Sequence, residues 1–510
     1  MSTISKIMQK VSTATPGIGN AFMSKMKPTF FTGKGKSQAF SLFKEVYSKV
    51  PAYKKFLEDK GFDVTNITNI NDFKKLPLID KENYLKKYSL KERCLNGELN
   101  KCYAISFSSG ASGVPTYWPR IPETDANIPK VMDMLLYDII EPKKYSTLIV
   151  NTLAMGLWSA GDMCTIGCRE MAKKKDYRIT VALPGLKIKE TLTLIKDIGH
   201  EYDQILMIGY PPFVKDIIDE ADEFGLDWKE FNLKIMIGGE GISEEWRDLI
   251  MEKIGAKRIN DITSLFATSD AGIVGFETPL SILTRKLILK NSSLKKKLIG
   301  NVNDISLVQY NPMAKYIEIV DGEIILSSFG AVPLLRYNIH DKGKVIDYLE
   351  LLKAFEDENI DIVAEMGKYG FDLKHAYKLP FFVAFGRSDG IHFYAVNIYR
   401  ENIMIAVNNS ELSQYVTGKF KVGVIEDSKS NQSLEIKIEL NKNVKTTPDI
   451  ERKLTKIIQN EICKTNSEYR ELSLYIQNKN GEPYFPNIEY CRFGSGEYFS
   501  NYDIKHKYFM

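Results

Sequence analysis

The sequence predicts an α/β fold with two domains, a large first domain with mainly parallel sheets and a small α+β domain after it. Two observations predict this class. Strand and helix patterns alternate in stretches such as "LKIKETLTLIKDIGHEYDQILMIG", which is typical of parallel sheets flanked by helices. After about residue 390 this alternation changes to paired strand patterns and a single helix pattern. The chain of 510 residues is long enough for both domains.

The composition is that of an ordinary globular protein. Hydrophobic residues make up 44% of the chain, and 69 basic against 65 acidic residues leave a net charge of +4. This near balance provides no electrostatic basis for nucleic acid or an anionic membrane as the main partner. No stretch is long and apolar enough to predict a membrane-spanning helix. A homodimer is compatible with these features.

The cysteines favour a reducing compartment. Six cysteines are spread along the chain, which argues against a disulfide framework. Cys164 and Cys168 are spaced i, i+4, but no second pair at zinc-like spacing accompanies them, so we interpret them as core residues. The N-terminal stretch lacks the apolar centre of a secretory signal. We therefore predict a cytoplasmic protein.

The chain begins with a mainly helical lead-in over residues 1–100. In "QAFSLFKEVYSKVPAYKKFLEDKG" the side chains of Phe40, Phe43 and Val46 fall on one helix face, and Gly61 predicts a stop. A strand is predicted over "CYAISF". The segment "PTYWPR" is predicted to be extended as well, because a proline disfavours helix at the residue before it.

The middle of the chain repeats a strand–turn–helix order. "DQILMIGYPP" predicts a strand and a turn, after which a helix runs from Pro212 to Phe224. "LKIMIGG" predicts another buried strand, and Ser243 is expected to cap the helix that follows. Ligands bind parallel sheets at the carboxyl ends of the strands, so the turns after these strands are the expected place of a site.

The small domain is predicted from the last part of the chain. "FKVGVIED" and "SLEIKIELN" predict a hairpin, and "TPDIERKLTKIIQNEIC" predicts an amphipathic helix. We place the boundary at "FGRSDG", which gives domains over residues 1–386 and 387–510.

A Ser/Gly loop, "SFSSGASGVPTYWPR", is the first segment with chemistry. Phosphate oxygens need several donors at short range, which backbone N–H groups beside glycine and serine hydroxyls supply. The loop is not a Walker loop, because no lysine follows its last glycine. Phosphate binding, as for ATP, and an ordinary surface turn are both compatible with this segment alone.

Two further segments follow predicted strands. In "IGGEG" the paired glycines allow a flat ligand to lie against the main chain, while Glu240 is equally compatible with a helix-start acid. In "LFATSDAG" an acid beside phosphates would suit Mg²⁺, which prefers oxygen ligands. An Asx-turn is the structural alternative for the second segment.

The last pair of segments is "VPLLRYNIHD" and "FGRSDG". An aspartate can accept hydrogen bonds from two hydroxyls at once, as a ribose requires, and a nearby arginine can bind sugar or phosphate. A salt bridge at the end of a strand explains each segment equally well.

Taken in order, these segments resemble the adenylate-forming (ANL) superfamily, and within it the phenylacetate–CoA ligase family. That family carries a Ser/Gly/Thr loop, a "GGE", an aromatic-Gly-x-Thr-Glu turn, a "P-L-x-R-Y-x-x-x-D" segment and a "G-R-x-D" hinge. The matching segments here are Ser108–Gly113, Gly238–Glu240, Phe266–Asp270, Pro333–Asp341 and Gly386–Asp389. "VPAYKKFL", "DFKKLPLIDKENY" and "GYPPFVKDII" are also similar to that family, so the likeness covers most of the chain.

The resemblance implies an adenylation domain, a mobile C-terminal lid domain and a bound ATP with Mg²⁺. Within the ATP site it implies a phosphate loop, an adenine pocket with an aromatic ring against the base, and a carboxylate on the ribose. The residues implied to bind ATP are Ser108, Ser109, Gly110, Ser112, Gly113, Gly239, Glu240, Phe266, Ser269, Asp341 and Arg387.

The resemblance also implies a catalytic group, a hinge and a metal ligand. Asp389 would be the hinge about which the small domain swings between two half-reactions. A lysine near the end of the chain would steady the charge that develops as the acyl-adenylate forms; Lys505 and Lys507 are the candidates, and Lys505 is favoured. Asp270 would be the magnesium ligand.

The sequence departs from the family pattern at three points. The loop has Val114 and Thr116 where many members carry lysine or a second threonine-rich stretch. Asp270 stands in place of the usual glutamate and is one methylene shorter, which puts direct contact with magnesium in question. Ala395 stands where a glycine normally follows the hinge, which leaves the acyl acceptor open.

The function implied is ATP-dependent activation of a carboxylic acid, followed by acyl transfer to a thiol of CoA or of a carrier protein. Met155, Leu157, Trp158 and Tyr210 suggest a pocket for an aryl or other apolar acid, although core packing explains them equally well. Transfer to a protein cysteine or to an amine are alternatives among enzymes. A degenerate relative that binds nucleotide or acyl group without turnover is the alternative of another class.

Overall fold

The computed structural model of the protein divides into two compact units, with the boundary after Gly386. The first unit takes in the residues up to 107 and from 117 to 386, and the second takes in Ser108 and Thr116 together with the residues from 387 onward. The residues that the structure describes are 16–108, 116–239, 241–300, 302, 305–387, 390–394, 396–427, 430–495 and 499.

The helices of the first unit include several that begin with proline, whose fixed φ suits the first helical position. In chain order they are α1 (Pro16–Lys25), α2 (Pro28–Lys49), α3 (Pro51–Asp59), α4 (Ile70–Phe73), α5 (Leu90–Arg93), α6 (Pro122–Asp125), α7 (Ile128–Ile140), α8 (Ser159–Ala172), α9 (Ile188–Ile198), α10 (Pro211–Asp219), α11 (Glu244–Ile254), α12 (Pro279–Lys290), α13 (Ser292–Leu298), α14 (Tyr348–Asp357) and α15 (Ile362–Gly367).

The strands of the first unit form a two-stranded ribbon and a large sheet. The ribbon consists of β1 (Ala104–Ser108) and β2 (Thr116–Arg120). The strands of the large sheet are β3 (Thr147–Asn151), β4 (Ile179–Ala182), β5 (Gln204–Gly209), β6 (Leu233–Ile237), β7 (Ile262–Thr268), β8 (Gly272–Phe276), β9 (Ser306–Tyr310), β10 (Tyr316–Val320), β11 (Glu323–Ser328), β12 (Leu334–Ile346) and β13 (Phe381–Arg387).

The large sheet has a parallel half and an antiparallel half. Its 11 strands follow the order β10-β11-β12-β13-β9-β8-β7-β6-β5-β3-β4. Strands β4, β3, β5, β6 and β7 run parallel, and the helices that connect them provide the crossovers. Strand β8 pairs antiparallel with β7 and β9, and β10 with β11. The predicted strand–helix alternation therefore corresponds to the parallel half.

The lead-in helices pack on the antiparallel half. Phe43 and Val46 of α2 lie in one apolar cluster with Phe73 of α4 and with Val308 and Leu326 of the sheet. This agrees with the helix face predicted from the spacing of the apolar residues. The parallel half has its own cluster, in which Cys164 and Cys168 of α8 are buried; burial raises the pKa of both thiols.

Two predicted helix starts can be compared directly with the structure. Ser243 caps α11, its Oγ accepting a hydrogen bond from the backbone N–H of Trp246 at 3.0 Å, as predicted. The helix predicted from Pro212 to Phe224 is corrected: α10 begins at Pro211 and ends at Asp219, and a separate 3₁₀ turn covers Ala221–Phe224. Proline is tolerated at both of the first positions of α10. The backbone N–H that proline lacks would have no acceptor within the first turn of a helix.

The second unit is a small α+β unit. Its strands are β14 (Gly390–Phe393), β15 (Val396–Tyr399), β16 (Val416–Glu426), β17 (Gln432–Leu440) and β18 (Asn487–Cys491), and its helices are α16 (Arg400–Val407), α17 (Pro448–Thr465) and α18 (Ser467–Asn480). The predicted hairpin is the antiparallel β16–β17 pair, to which β18 adds in parallel. In the part of the chain that the structure describes, we find no helix with the length and apolarity that a membrane crossing requires.

Candidate functional site

The carboxyl ends of the parallel strands bring the predicted segments to one edge of the sheet. The turn with Met155 follows β3, Tyr210 follows β5, Gly238 follows β6 and Ser269 follows β7. These positions are distant in sequence, and the parallel order β3-β5-β6-β7 places them side by side. The edge is therefore a continuous surface made of four strand ends, as expected for the ligand site of such a sheet.

Glycines shape the centre of this edge. The N–H of Gly238 donates to the carbonyl of Gly209 on the neighbouring strand at 3.1 Å. A Cβ at Gly209 would meet the Thr152 Oγ1 atom at 2.4 Å, so no larger residue fits there. Gly239 has a φ of +96°, which side chains strongly disfavour. The main chain thus carries no side chain at Gly238 and Gly239, where the sequence predicts that a flat ligand lies.

The turn after β7 carries the predicted aromatic residue and the acid. The ring of Phe266 packs edge to face on Phe382, with centroids 4.9 Å apart. The Thr268 Oγ1 atom accepts a hydrogen bond from the N–H of Ala271 at 3.0 Å and so closes the turn. The hydroxyls of Ser269 and Ser159 lie 3.4 Å apart, which joins this turn to the start of α8.

Asp270 is held by a residue that we did not predict from the sequence. The hydroxyl of Tyr337 donates to the Asp270 Oδ2 atom at 2.6 Å. The other carboxylate oxygen, Oδ1, takes no hydrogen bond from the residues that the structure describes. Tyr337 belongs to the segment that also contains Asp341, so its presence in that segment was the only signal available in the sequence.

Strand β12 carries Asp341, whose side chain is buried with 8% of its surface exposed, four positions after Tyr337. Earlier in the strand Arg336 has a φ of +49°, an unusual value for a large side chain. An ion pair to Glu318 at 3.1 Å and a hydrogen bond from its N–H to Ser327 Oγ at 2.9 Å hold it there. Arg336 is thus a structural residue of the segment "VPLLRYNIHD". Its contacts fix the strand that carries Tyr337 and Asp341.

The predicted acid-pocket residues follow β3 and β5. The Trp158 ring packs on Phe107 of β1 with centroids 4.6 Å apart. Tyr210 packs against the apolar cluster of the parallel half, and Met155 is half-buried. Leu157 has 52% of its surface exposed, and its carbonyl accepts the N–H of Phe107 at 3.0 Å. The backbone of Leu157, rather than its side chain, therefore makes the local contact.

A buried ion network holds the glycine turn and β7 together. Arg247 of α11 is fully buried, and its Nη2 atom donates to both oxygens of Glu277 at 2.7 Å. Arg285 lies 3.0 Å from Glu277 and also pairs with Glu244. The N–H of Ser264 in β7 donates to Glu277 at 2.7 Å. The network thus connects the helix after Gly239 with the strand before Asp270.

The network changes the pKa of Glu244. Burial alone would raise that pKa, but the charges of Arg247, Arg285 and Lys286 outweigh burial and lower it to about 2, from an ordinary value of 4.5. A carboxyl group whose pKa is lower in the folded than in the unfolded state stabilises the fold at pH values above its pKa in the unfolded state. That contribution is lost as the pH falls from about 4.5 towards 2.

We expect acid to destabilise the first unit partly through this group. Between pH 5 and pH 2.5 the free energy of unfolding should fall, and Glu244→Gln should remove up to about 1.4 kcal/mol per pH unit of that slope. Guanidinium unfolding at half-unit pH steps measures the free energy of unfolding of each protein and its slope with pH. Glu45→Gln, which breaks an exposed pair with Lys49, is the control. If the free energy of unfolding had the same slope with pH in Glu244→Gln and in the unchanged protein, the lowered pKa of Glu244 would be contradicted.

Several predicted site residues fall outside the residues that the structure describes. They are Ser109, Gly110, Ser112, Gly113, Glu240, Asp389, Lys505 and Lys507, together with Val114 and Ala395. Ser108 ends β1 and Arg387 ends β13, but the side chain of Arg387 is not among the described atoms. Among the described residues, no group of three or more His, Cys, Asp or Glu side chains is arranged to hold a metal ion.

Comparison with solved structures identifies similar folds. The structure of 2-hydroxyisobutyryl-CoA ligase with 2-HIB-AMP and CoA in the thioesterification state matches with a TM-score of 0.64 and 13% identity, over 94% of this chain and 89% of that chain. The same ligase in the postadenylation state with 2-HIB-AMP matches with a TM-score of 0.52 and 14% identity, over 95% and 90%. No protein-family model and no curated protein matches the sequence. The likeness confirms the predicted fold class.

Proposed function

We propose, from the adenylate-forming fold that this chain shares with 2-hydroxyisobutyryl-CoA ligase, that the protein is an ATP-dependent ligase which activates a carboxylic acid as its acyl-adenylate and then transfers the acyl group to a thiol. We further propose a cytoplasmic location, which the six free cysteines support. The adenylation domain would correspond to the first unit and the lid to the second.

One observation carries the proposal: a bare glycine turn and an aspartate held by Tyr337 lie at the same carboxyl edge of the sheet. Gly239 and Asp270 end adjacent segments after β6 and β7, and the buried Asp341 lies on the strand that supplies Tyr337. The neighbouring ligase was solved with an acyl-AMP and CoA, the product of adenylation and an acyl acceptor. These observations support the proposal that the residues singled out by the sequence motifs serve the same chemistry in this chain.

The proposed reaction has two steps. A carboxylate oxygen of the acid attacks the α-phosphorus of ATP, the bond from that phosphorus to the bridging oxygen breaks, and pyrophosphate leaves with the electron pair. A thiol then attacks the acyl carbon of the mixed anhydride, its proton is released, and AMP leaves. Positioning and charge neutralisation would supply most of the catalysis in the first step. CoA or a carrier protein would provide the thiol.

The described residues suit the roles we propose for the nucleotide site. The bare main chain at Gly238 and Gly239 can accept the adenine, with Phe266 beside it. Asp341 would accept the ribose hydroxyls, and Arg387 would lie near them. Ser108 and the loop that follows would donate to the phosphates, and Asp389 would be the hinge.

Magnesium fits the donor that the turn offers. Asp270 presents one carboxylate oxygen that is not used by the described residues, and hard oxygen donors suit this ion. When bound, the ion would neutralise phosphate charge. The shorter side chain of aspartate is compensated in part by Tyr337, which fixes the carboxylate in one orientation. We propose Asp270 as a ligand of magnesium, directly or through water.

The acid is proposed to be aryl or otherwise apolar. Tyr210, Met163, Ala267 and Ile273 all pack against the apolar cluster behind the sheet edge. Trp158 adds an aromatic ring on the ribbon side. A surface of this kind favours an apolar acyl group over a charged one, because an unpaired charge would lose its hydration there.

The test is ATP–pyrophosphate exchange with pooled aryl, fatty and amino acids in the presence of magnesium. Exchange with one apolar pool is expected, and deconvolution of that pool identifies the acid. Product analysis with CoA, a carrier protein or an amine then separates thioester from amide formation. ATP binding without exchange in any pool would favour a degenerate binder over an active ligase.

We predict that one terminal lysine is essential for the first step. Lys505→Ala should lower pyrophosphate exchange by about 100-fold or more, because loss of one group aimed at the developing charge has about this effect in other enzymes. Lys507→Ala is the matched control and should retain exchange within about threefold. A larger loss in Lys507→Ala than in Lys505→Ala would reverse the assignment.

We predict a smaller effect for Tyr337→Phe. Removing the hydroxyl frees Asp270 from a hydrogen bond to a charged acceptor, worth roughly 1.5–3 kcal/mol. Exchange should fall about 10-fold and require more magnesium for half-maximal rate. Tyr316→Phe, which changes a tyrosine of β10 whose ring packs on Phe73, should leave the magnesium dependence unchanged. An unchanged magnesium requirement in Tyr337→Phe would contradict the role of Asp270.

A further inference from the structure

The ribbon that leads into and out of the Ser/Gly loop is attached at both ends to residues 157–162, which include Leu157 and Trp158 of the proposed acid pocket and the start of α8, the acid-pocket helix. At the end of β1, the N–H of Phe107 donates to the carbonyl of Leu157 at 3.0 Å and its ring packs on Trp158. At the end of β2, Arg120 reaches helix α8, where its Nη1 atom pairs with Asp162. Residues 157–162 therefore contact both strands of the ribbon.

Arg120 is a buried cation shared by two carboxylates. Its side chain is 9% exposed, and its Nη2 atom pairs with Asp125 of α6 while Nη1 pairs with Asp162. The hydroxyl of Tyr103, just before β1, also donates to Asp125. Burial lowers the pKa of Arg120, but Asp125 and Asp162 outweigh burial and raise it, so the guanidinium stays charged.

The two carboxylates differ in what they hold. Asp125 and Tyr103 connect the ribbon to α6, which lies next to it in sequence. Among the described residues, Asp162 is the one partner of Arg120 on the acid-pocket helix. The acid-pocket helix is itself fixed without Arg120, because Asn151 at the end of β3 donates to the Gly161 carbonyl and to Thr165, both at 3.1 Å. Breaking the Arg120–Asp162 pair thus loosens the β2 end of the ribbon from α8, while the β1 end stays attached through Phe107 and the helix stays in place.

We infer that Asp162 and Arg120 are positioning residues, which align the ribbon carrying the phosphate loop with the helix that carries the acid pocket. The inference rests on the proposed function. We assign neither residue a contact with the reacting atoms; their ion pair fixes the β2 end of the ribbon on α8. The expected consequence of breaking the pair is weaker ATP binding, with the binding of the acid preserved.

Asp162→Asn is the informative variant. Arg120 keeps Asp125 as its partner, so no buried charge is left unpaired and the fold should persist. The matched control is Glu170→Gln, which breaks an exposed pair with Lys173 on the same helix; the Asp162 side chain is 42% exposed and that of Glu170 46%. Asp162→Glu keeps the charge and should restore most of the lost binding.

The first measurement is calorimetric binding of ATP with magnesium in the absence of acid. We expect the Kd of Asp162→Asn to rise about 10-fold, with Glu170→Gln unchanged and Asp162→Glu close to the unchanged protein. In pyrophosphate exchange, Asp162→Asn should show a higher KM for ATP and a lower kcat, with the KM for the acid within about twofold. A merely structural effect would reduce the active fraction and leave both KM values as they were.

The outcomes separate this inference from the function on which it rests. If the unchanged protein binds ATP and Asp162→Asn binds it equally well, the inference is wrong and the proposed function stands. An equal loss in Glu170→Gln would also overturn it, since any charge change on α8 would then suffice. If the unchanged protein does not bind ATP, the proposed function fails and the inference fails with it.

Discussion

Asp341→Asn is expected to lower kcat/KM for ATP by about 100-fold in pyrophosphate exchange, since the carboxylate that we propose to accept two ribose hydroxyls becomes an amide with one acceptor oxygen. Each hydrogen bond to a charged group contributes roughly 1.5–3 kcal/mol, and a loss of about 2.7 kcal/mol corresponds to this factor. Asp341 is buried, so water cannot easily replace the lost acceptor. The effect should fall mainly on the KM for ATP, because the proposed ribose contacts would be present before and during the reaction.

A second aspartate of the same sheet provides the control. Asp321 lies in the exposed turn between β10 and β11 with a φ of +52°, a conformation that asparagine tolerates well. Asp321→Asn should therefore change neither stability nor exchange by more than about twofold. Thermal unfolding of both variants separates loss of ribose binding from loss of fold. Full exchange in Asp341→Asn would contradict the proposed place of this residue in a nucleotide site.

The other large effect is expected on stability. Glu277→Ala should destabilise the first unit by about 3–5 kcal/mol, because it leaves the fully buried Arg247 without its bidentate partner and the N–H of Ser264 without its acceptor. Arg285 loses one of its two carboxylates in the same change. Guanidinium unfolding, followed by circular dichroism, measures the shift.

Two comparisons test whether the buried charge is the cause. Glu45→Ala removes one partner of an exposed pair on α2 and should cost no more than about 0.5 kcal/mol. Replacing both buried partners, as in Arg247→Met with Glu277→Leu, should cost less than Glu277→Ala alone, because no charge is then left unpaired. A Glu277→Ala variant within about 1 kcal/mol of the unchanged protein would contradict this account.

Local patterns predicted the elements well. The hairpin of β16 and β17, the helix face of Phe43 and Val46, and the cap at Ser243 all depend on residues close in sequence, and all three are present. The end of α10 differs, because that helix breaks at Asp219 and continues as a separate turn around the buried Ala221. Apolar spacing alone does not distinguish one long helix from a helix and a turn that bury the same face.

Contacts between distant residues were beyond the reach of the sequence. Tyr337 and Asp270 are 67 positions apart, and Arg120 and Asp162 are 42 apart. A tyrosine or arginine within a motif gives no sign of which carboxylate it meets, since any of 65 acidic residues is a chemically suitable partner. The order of the strands in the sheet decides which of them come together.

By itself, the sequence determined the class of fold, the position of most helices and strands, and the segments with the composition of a nucleotide site. These follow from local physics, namely apolar periodicity, caps and the conformational freedom of glycine. Only the tertiary structure decided that the strand ends of β3, β5, β6 and β7 form one edge, that Tyr337 holds Asp270, and that Arg120 joins the ribbon to α8. The physical reason is that these contacts depend on strand order and packing, which long-range burial of apolar surface selects and no local pattern contains.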